Sequence, residues 1–232
     1  MGFEDILFPN VRGENWQMMP WERIALTGVL SRIRPKGGIE VGVYYGGSLS
    51  LASQYVDHLI AIDIDPEVPQ RVAAKPNVEL IIEPSTEAIP KAFAMHEAAG
   101  RPVNYVLVDA DHSAEGVRRD LQLILEHIPS EPMFIIMHDT GNPETRRGLL
   151  SVDWAANPHL VRFDCDFIPG QIIEHSVSNG RGEVWGGLGI AYLEPTPRQG
   201  QPEILQSAAT SIRCLHHCSP NLDILETASR KR

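Results

Sequence analysis

The sequence lacks long apolar runs, a set of cysteines suited to disulfides, and any concentrated block of basic residues. No stretch approaches the roughly 18 apolar residues that a membrane-spanning helix needs, so we expect no membrane partner. The three cysteines do not suggest the disulfide framework of a secreted protein. The N-terminus lacks the basic region and the following apolar region of a signal peptide. These absences favour a reducing cytoplasm as the location of the protein.

Acidic residues outnumber basic ones. The chain has 30 Asp and Glu against 20 Lys and Arg, a formal net charge of -10, and no long basic run compensates for that charge. A general nucleic-acid or anionic-membrane binder is therefore not expected. With 232 residues, of which 43% are hydrophobic, the chain is long enough for one well-buried domain.

Five short apolar runs alternate with segments suited to helices, which predicts βαβ units and a parallel sheet covered on both faces. A first helix is expected from Pro20 to about Pro35. Further helices are expected over 48–56, 66–75, 86–99 and 114–128. The predicted strands cover residues 39–43, 59–62, 78–82, 103–108 and 133–137, with additional edge strands in 160–174 and 187–194.

The proline-rich segment after residue 194 marks the expected end of the domain. We predict one domain over residues 1–195, in which residues 1–36 form an N-terminal lid and helix region. Residues 196–232 are predicted to form a C-terminal extension, a linker with one or two short helices. Two of the three cysteines, Cys214 and Cys218, lie there. The two cysteines are too close together for a good zinc site, and the sequence has no second pair of ligands to match them.

A strand, a glycine turn and a helix start follow one another in residues 37–48. Glycines at Gly42 and Gly46 let the backbone approach a nucleotide-like ligand, and Ser48 opens the helix. Glu40 lies inside the predicted strand, where burying a carboxylate costs free energy unless a partner or ligand interacts with it. Because the spacing is not the G-x-G-x-x-G of dinucleotide folds, an NAD(P)-dependent oxidoreductase is only an alternative.

Acidic residues and histidines follow three of the predicted strands. Asp63 lies ~20 residues after the glycine turn, where a carboxylate reaches ribose hydroxyls, although it and Asp65 could instead only cap the next helix. Asp109, Asp111 and His112 follow the strand 103–108, and His138 with Asp139 ends the next. The carboxyl ends of parallel strands form the binding crevice of such sheets, so we expect these groups to meet there.

Two motifs carry a resemblance to known enzymes over roughly residues 17–194. The pattern E-x-G-x-x-x-G-x-S, from Glu40 to Ser48, resembles motif I of class I S-adenosylmethionine-dependent methyltransferases, especially O-methyltransferases related to the catechol and caffeoyl-CoA enzymes. The string D-x-D-H-S-x-E-G-V-x-x-D, from Asp109 to Asp120, is similar to the cephalosporin-hydroxylase-like and macrocin-type O-methyltransferases. The resemblance implies an α/β, Rossmann-like class I methyltransferase fold: a seven-stranded, mostly parallel sheet with helices on both faces.

The resemblance also implies which residues bind S-adenosylmethionine. Glu40 and the Gly42 turn would hold its methionine end, Asp63 its ribose and Ser85 its adenine. Pro84 stands where these enzymes often have an acid beside the adenine. The full set of implied cofactor-binding residues is Glu40, Gly42, Gly46, Ser48, Asp63, Ser85 and Asp109.

In many of these enzymes a divalent ion, commonly Mg²⁺, lies beside the cofactor. Asp109 would be its first ligand, with either His138 and Asp139 or Asp139 and Thr140 as the second pair. Oxygen ligands suit magnesium or calcium, whereas His138 as a ligand favours a transition metal. The carboxylates could equally orient the histidines without a metal.

The expected reaction is methyl transfer to a hydroxyl of a small molecule, which could be a sugar, a natural product or a phenol. His112 falls where the catechol-type enzymes have a catalytic lysine and is our first candidate for the general base; Asp111 and His138 are the others. A non-catalytic cofactor-binding domain is a further alternative. An apolar N-terminal helix and a long tail suggest a homodimer.

Overall fold

A computed structural model describes residues 6, 16–173 and 183–217 of the chain. The expectations for most of residues 1–15 and for Cys218 therefore lie outside the described residues. The predicted α/β fold is confirmed: helices alternate with strands along the chain, and the strands form one large mixed sheet.

The large sheet has eight strands in the order β10-β6-β9-β5-β4-β1-β2-β3. All neighbouring pairs are parallel except that β9 runs antiparallel to both β5 and β6. Its strands are β1 (Gly37–Val41), β2 (His58–Asp63), β3 (Val78–Ile82), β4 (Val103–Val108), β5 (Met133–His138), β6 (Leu160–Ile168), β9 (Leu188–Leu193) and β10 (Glu203–Leu205). A separate hairpin pairs β7 (Gln171–Ile173) with β8 (Glu183–Trp185).

Helices cover both faces of the sheet, as the near-continuous apolar strands require. The helices are α1 (Pro20–Ile33), α2 (Gly47–Ala52), α3 (Val68–Arg71), α4 (Ser85–Ala98), α5 (Ala114–Leu125), α6 (Pro143–Ser151) and α7 (Ala209–His217), with a 3₁₀ turn at Trp154–Ala156. Two apolar clusters result, one beneath α4, α5 and α6 and the other beneath α1 and α2. Consecutive residues of a strand point to opposite faces of the sheet, so Leu59 of β2 belongs to one core and Ile60 to the other.

The predicted number of strands was wrong: the large sheet has eight strands and not seven. The additional strand, β10, lies in the C-terminal extension and pairs parallel with β6 through Glu203, Ile204 and Leu205. Three residues between proline-rich and polar segments are too few to show a strand periodicity, so we expected only a linker and short helices there. Within the described part of the chain, every helix is too short or too polar to span a bilayer.

Candidate active site

A crevice of about 840 Å³ opens at the carboxyl ends of β1, β2, β4 and β5. The chain leaves β1 toward β2 on one side, and later returns to place β4 on the other side of β1. This is the switch point at which open α/β sheets bind ligands, and the volume is that of a typical small-molecule site. Further walls come from residues 16–19 before α1, residues 83–86 at the start of α4, residues 119–120 of α5 and residues 185–186 at the end of β8.

The turn after β1 comes very close to β4. Gly42 has a φ of 94°, a left-handed conformation that side chains rarely adopt, and its amide donates to the Ile62 carbonyl at 2.9 Å. A Cβ at this position would lie 2.1 Å from the carbonyl oxygen of Asp109. Gly42 is thus required by conformation and by space. It lines the crevice together with Gly46 and Ser48.

Glu40 lies below the crevice rather than on its lining. Its side chain is fully buried, and Oε1 accepts a hydrogen bond from the Ser48 hydroxyl at 2.7 Å, while Oε2 has no partner. Burial raises the pKa of Glu40 to about 8, against the opposing effect of the Ser48 hydrogen bond. In this arrangement Ser48 is the link between Glu40 and the crevice, and direct contact of Glu40 with a cofactor stays a prediction.

Asp63 holds the glycine turn in place from the end of β2. Its Oδ2 accepts from the amides of Val43 and Tyr44 at 2.9 and 3.0 Å, and its Oδ1 accepts from the Asp65 amide at 2.9 Å. Oδ2 already accepts two hydrogen bonds, whereas Oδ1 accepts one and has capacity for a second, which leaves the predicted contact to a ribose hydroxyl open. Asp65 accepts the amide of Glu67 at 2.9 Å in the turn before α3, whose N-cap residue is Glu67.

Four side chains from β4 and β5 form a compact charged cluster beside the crevice. Nδ1 of His138 lies 2.9 Å from Oδ1 of Asp109 and 3.4 Å from Oδ2 of Asp139. Nε2 of His112 lies 2.9 Å from Oδ2 of Asp139 and 3.7 Å from Oδ1 of Asp109. The structure thus brings together the residues predicted at two successive strand ends.

Backbone geometry directs Asp139 into this cluster. The residue has a φ of 57°, and its Oδ1 accepts from the Gly186 amide at 2.7 Å. A left-handed aspartate is sparsely populated and persists where surrounding contacts enforce it, which is common at functional sites. Asp111, also a predicted catalytic residue, lies apart: it accepts from the Ser113 amide at 2.8 Å and lies 3.8 Å from Arg119.

Glu22 of α1 is a site residue that the sequence analysis missed. Its side chain is fully buried; Oε2 accepts from the Met19 amide at 2.6 Å and lies 3.2 Å from Nε2 of His138, and Oε1 accepts from the amide of Gly187. The contact to His138 joins residues 116 positions apart, and a glutamate in the first turn of a helix is ordinary for capping. No local signal distinguishes it.

The cluster shifts the ionisation of all four of its members. Asp109 and Asp139 raise the pKa of His112 to about 10. For His138, burial opposes protonation, but the charges of the same two carboxylates outweigh it and raise the pKa well above its ordinary range. Burial would raise the pKa values of Asp109 and Asp139, yet the histidines hold both below their ordinary range. Opposite charges therefore stabilise the ionised forms.

Asp109, His138 and Asp139 could hold a metal ion. One ligand atom from each lies within 4.8 Å of the other two. A metal-bound histidine ordinarily donates its other ring N–H to a carboxylate or carbonyl, and Nε2 of His138 faces Glu22 in that way. The residues fit a divalent ion, and the nitrogen donor favours a transition metal over magnesium.

Ser85, the first residue of α4, lines the crevice, and its contact with adenine stays a prediction. Its hydroxyl donates to Oδ1 of Asp120 at 2.7 Å, and both residues line the crevice. Asp120 is 1% exposed, and burial raises its pKa despite the Ser85 hydrogen bond and nearby Arg119. Oδ2 of Asp120 has no hydrogen-bond partner.

Comparisons with known proteins agree with this geometry. Residues 39–140 match a family model described as a methyltransferase domain. Three solved structures are similar to the chain: cofactor-bound Rv0187 from MTB, an O-methyltransferase from Bacillus cereus in complex with SAH, and the O-methyltransferase TomG from Streptomyces achromogenes, involved in tomaymycin synthesis, in complex with SAM.

The similarity to these structures lies in the fold. They share 18%, 12% and 12% sequence identity with the chain, with TM-scores of 0.53, 0.53 and 0.54. The matches cover 80%, 83% and 76% of this chain and 84%, 88% and 81% of the other chains. No curated protein is similar enough in sequence to match.

Proposed function

We propose that this chain transfers the methyl group of S-adenosylmethionine to a hydroxyl of a small molecule, because residues 39–140 match a family model described as a methyltransferase domain. The observation that carries this proposal is the meeting of the Gly42 turn, Asp63 and the His112 cluster in one crevice. The turn would bind the methyl donor, and the cluster would activate the acceptor. Two of the similar structures are O-methyltransferases, which supports oxygen as the methylated atom.

The chain's own residues need to do little chemistry, since the sulfonium methyl is already activated. The walls of the crevice would align acceptor oxygen, methyl carbon and sulfur for in-line displacement. His112 would take the hydroxyl proton, because its imidazole lines the crevice and its side chain is 40% exposed. Asp139 and Asp109 would hold the ring in position.

The pKa of His112 sets a condition for this role. At about 10, the imidazole is protonated at neutral pH and cannot accept a proton. The positive sulfonium of the cofactor would lie near the same carboxylates and oppose the charge of His112. Cofactor binding would therefore lower the pKa of His112 toward the value that a base needs.

We include a divalent cation in the proposal, held by Asp109, Asp139 and Nδ1 of His138. When bound, such an ion lowers the pKa of a coordinated hydroxyl. Magnesium is the expectation from similar enzymes, and the nitrogen donor makes manganese or zinc the better match. Glu22 would keep the His138 ring in the orientation that presents Nδ1 to the ion.

The charges around the crevice favour an acceptor without negative charge. Six carboxylates line it, and among the described lining residues Arg119 is the one lysine or arginine. Arg119 lies within 3.8 Å of Asp111 and 3.5 Å of Asp120, so its charge is largely compensated. The ring of Trp185 packs edge-on to His112 at 5.6 Å. A neutral or cationic hydroxylated acceptor with an apolar face suits this wall, and a phosphorylated one does not.

The two alternatives have less support. An NAD(P)-dependent oxidoreductase would require the G-x-G-x-x-G turn, which the Gly42–Gly46 spacing does not provide, and the family match is to methyltransferases. A non-catalytic cofactor-binding domain would not need histidines and carboxylates beside the methyl donor. A cytoplasmic location and a homodimer stay predictions.

Calorimetry with S-adenosylhomocysteine and with NAD tests the proposal. We expect one molecule of S-adenosylhomocysteine to bind per chain and NAD not to bind. Asp63→Asn should weaken binding by about tenfold or more, since a hydrogen bond to a charged group is worth about 1.5–3 kcal/mol. Asp57→Asn is the matched control, because Asp57 is exposed at the opposite end of β2. Binding of NAD alone would contradict the proposal.

A further inference from the structure

We infer that His216, in the C-terminal extension, is a positioning residue for the turn that carries Asp139, which makes α7 a functional part of the active site. The inference rests on the proposed function, because that function assigns Asp139 to holding the ring of His112. Helix α7 lies outside residues 39–140, the part of the chain that matches the methyltransferase domain. The contact therefore belongs to this chain's own extension.

His216 contacts the turn directly. Its Nε2 lies 2.9 Å from the carbonyl oxygen of Gly141, and since a carbonyl only accepts, the imidazole is the donor. The side chain is fully buried, on the same face of α7 as Ile212. Burial and the charge of Arg146 lower the pKa of His216, against the opposing effect of the Gly141 hydrogen bond. The ring is therefore neutral at neutral pH, and its one N–H is the one that Gly141 accepts.

Gly141 has little freedom to move within the turn. Its amide donates to the Gly186 carbonyl at 2.8 Å, and its carbonyl accepts from His216, so both of its polar groups are engaged. A Cβ at Gly141 would lie 2.9 Å from the carbonyl oxygen of Gly186. The amide of Asn142 donates back to the Asp139 carbonyl at 2.9 Å and closes the turn. A displacement of the Gly141 carbonyl would therefore reach Asp139.

A second contact links the extension to the same turn. Arg146 of α6 donates to the Thr140 carbonyl at 3.4 Å and to Oε1 of Gln206 at 3.0 Å. The carbonyls of Thr140 and Gly141 follow one another in the turn. The extension thus holds the first through Arg146 and the second directly through His216.

Asp139 requires such support because its backbone is left-handed, with a φ of 57°. A residue other than glycine keeps that conformation only where surrounding contacts enforce it. Oδ1 of Asp139 accepts from the Gly186 amide at 2.7 Å, and Oδ2 lies 2.9 Å from Nε2 of His112. The position of the proposed base therefore depends on the turn that His216 holds.

Hydrogen exchange of the full chain, followed by NMR, tests this inference. The Gly186 amide reports on the side chain of Asp139, because it donates to Oδ1 of that residue. In His216→Leu this amide should exchange about fivefold or more faster than in the wild-type protein, since the Gly141 carbonyl has lost its donor and the turn opens more often.

Three comparisons separate positioning from a general loss of stability. The Val43 amide, which donates to Oδ2 of Asp63 on the cofactor side, should exchange within about twofold of its wild-type rate in His216→Leu. His216→Gln keeps an amide N–H₂ near the position of Nε2, so the Gly186 rate should return to within about twofold of wild type. His217→Leu changes the exposed neighbouring histidine and should leave both rates unchanged.

If His216→Leu does not fold, His216→Asn is the second test. Its shorter side chain cannot bring an amide nitrogen to the Gly141 carbonyl, so it should give the same acceleration at Gly186 with no change at Val43. An unprotected Gly186 amide in the wild-type protein, an unchanged Gly186 rate in the variant, equal acceleration of both amides, or no rescue by His216→Gln overturns the inference. Calorimetry with S-adenosylhomocysteine tests the proposed function separately: failure of the wild-type protein to bind overturns that function, while the exchange rates still decide the role of His216.

Discussion

Gly42 shows how one residue shapes the predicted cofactor turn. Its backbone is left-handed, and the position of a Cβ is already taken by the carbonyl group of Asp109. Asp109 belongs to the charged cluster, so a displacement at Gly42 would be transmitted to the residues that we expect to activate the acceptor. The turn and the cluster are coupled at this contact.

Gly42→Ala is expected to lower the free energy of unfolding by about 3 kcal/mol or more, because strain and overpacking add. It should also abolish detectable S-adenosylhomocysteine binding. Gly200→Ala is the matched control: Gly200 has a φ of 86° and open space around it, so only the conformational cost of about 1 kcal/mol applies. Urea unfolding and calorimetry measure both effects. Equal destabilisation by the two variants would show that the contact with Asp109 does not matter.

His112 gives the protein a specific dependence on pH. Its pKa is raised in the folded state from an ordinary 6.5 to about 10, so its ion pairs contribute fully to stability below pH 6.5. That contribution is lost as the pH rises through about 10. In metal-free protein, His112→Asn should make this decline in the free energy of unfolding shallower, with the contribution of His138 remaining, as measured by urea titration across the window. His217→Asn, at an exposed histidine, should leave the decline unchanged. An identical decline in the two variants would contradict the pKa of His112.

Single residues of the site were predictable from the sequence where they follow a strand directly. Asp109, His112 and Asp139 were expected to meet because the carboxyl ends of parallel strands share one edge of a sheet, and they do. Glu22 and Asp120 were not predicted as site residues. Both lie on helices, where the position of a side chain in the site depends on how the whole helix packs on the sheet.

At the scale of elements, α1 is tied to the site through the first turn of the helix. Glu22 joins its first turn to His138 on β5 and to the Gly187 amide after β8, and the same residue accepts from Met19 in the crevice wall. One buried carboxylate thus holds a helix, a strand end and a turn together. Within the N-terminal region, the described first turn of α1 is thereby joined to the charged cluster.

Glu22→Ala is expected to lower the free energy of unfolding by about 3–5 kcal/mol, since it leaves the amides of Met19 and Gly187 and Nε2 of His138 without their acceptor. Glu87→Ala provides a close control. Glu87 occupies the same third position of another 14-residue helix, α4, but is exposed, so a change within about 0.5 kcal/mol is expected. Chemical denaturation compares the two. Similar losses would mean that Glu22 acts only as a helix-capping residue.

Elements with strong periodicity were predicted closely, and weak ones were not. The first helix begins at Pro20 as expected, and strands β3 and β4 have the predicted bounds. The helix expected over 66–75 is shortened to Val68–Arg71, and the edge strand expected over 160–174 is divided into β6 and β7. These differences arise where prolines, glycines or sheet-edge packing override local propensity.

At the scale of the whole molecule, the described part of the C-terminal extension joins the sheet through β10. Asp166 of β6 pairs with Arg146 of α6 at 2.6 Å; it also accepts the Ala208 amide at 3.1 Å, and Arg146 donates to Gln206. Both charged side chains are almost fully buried. The extension therefore shields from solvent an ion pair that the rest of the domain alone would leave exposed.

Asp166→Ala should lower the free energy of unfolding by about 3–5 kcal/mol, because a buried Arg146 would remain uncompensated. Glu203→Ala breaks another pair between the extension and β6, the one to Arg162, in which both side chains are more than half exposed. Such exposed pairs are worth less than about 1 kcal/mol, so little change is expected. Thermal and urea unfolding measure both variants. A small loss in the free energy of unfolding of Asp166→Ala would contradict this expectation, because it would show that Arg146 reaches solvent when Asp166 is absent.

The architecture as a whole was predictable because the alternation of strands and helices runs through most of the chain, and the family match covers residues 39–140 of it. The identity of the acceptor was not predictable. It depends on walls drawn from distant segments, such as residues 16–19 and Trp185, whose arrangement only the folded chain shows.

A crystal structure of the full chain grown with saturating S-adenosylhomocysteine tests the central claim most directly. We expect the homocysteine end on the turn from Gly42 to Ser48, the ribose hydroxyls on Asp63, and the sulfur facing His112. The adenine should lie beside Ser85. Electron density for the ligand outside this crevice, or a crevice free of ligand at saturation, would contradict the assignment of this site to a methyl donor.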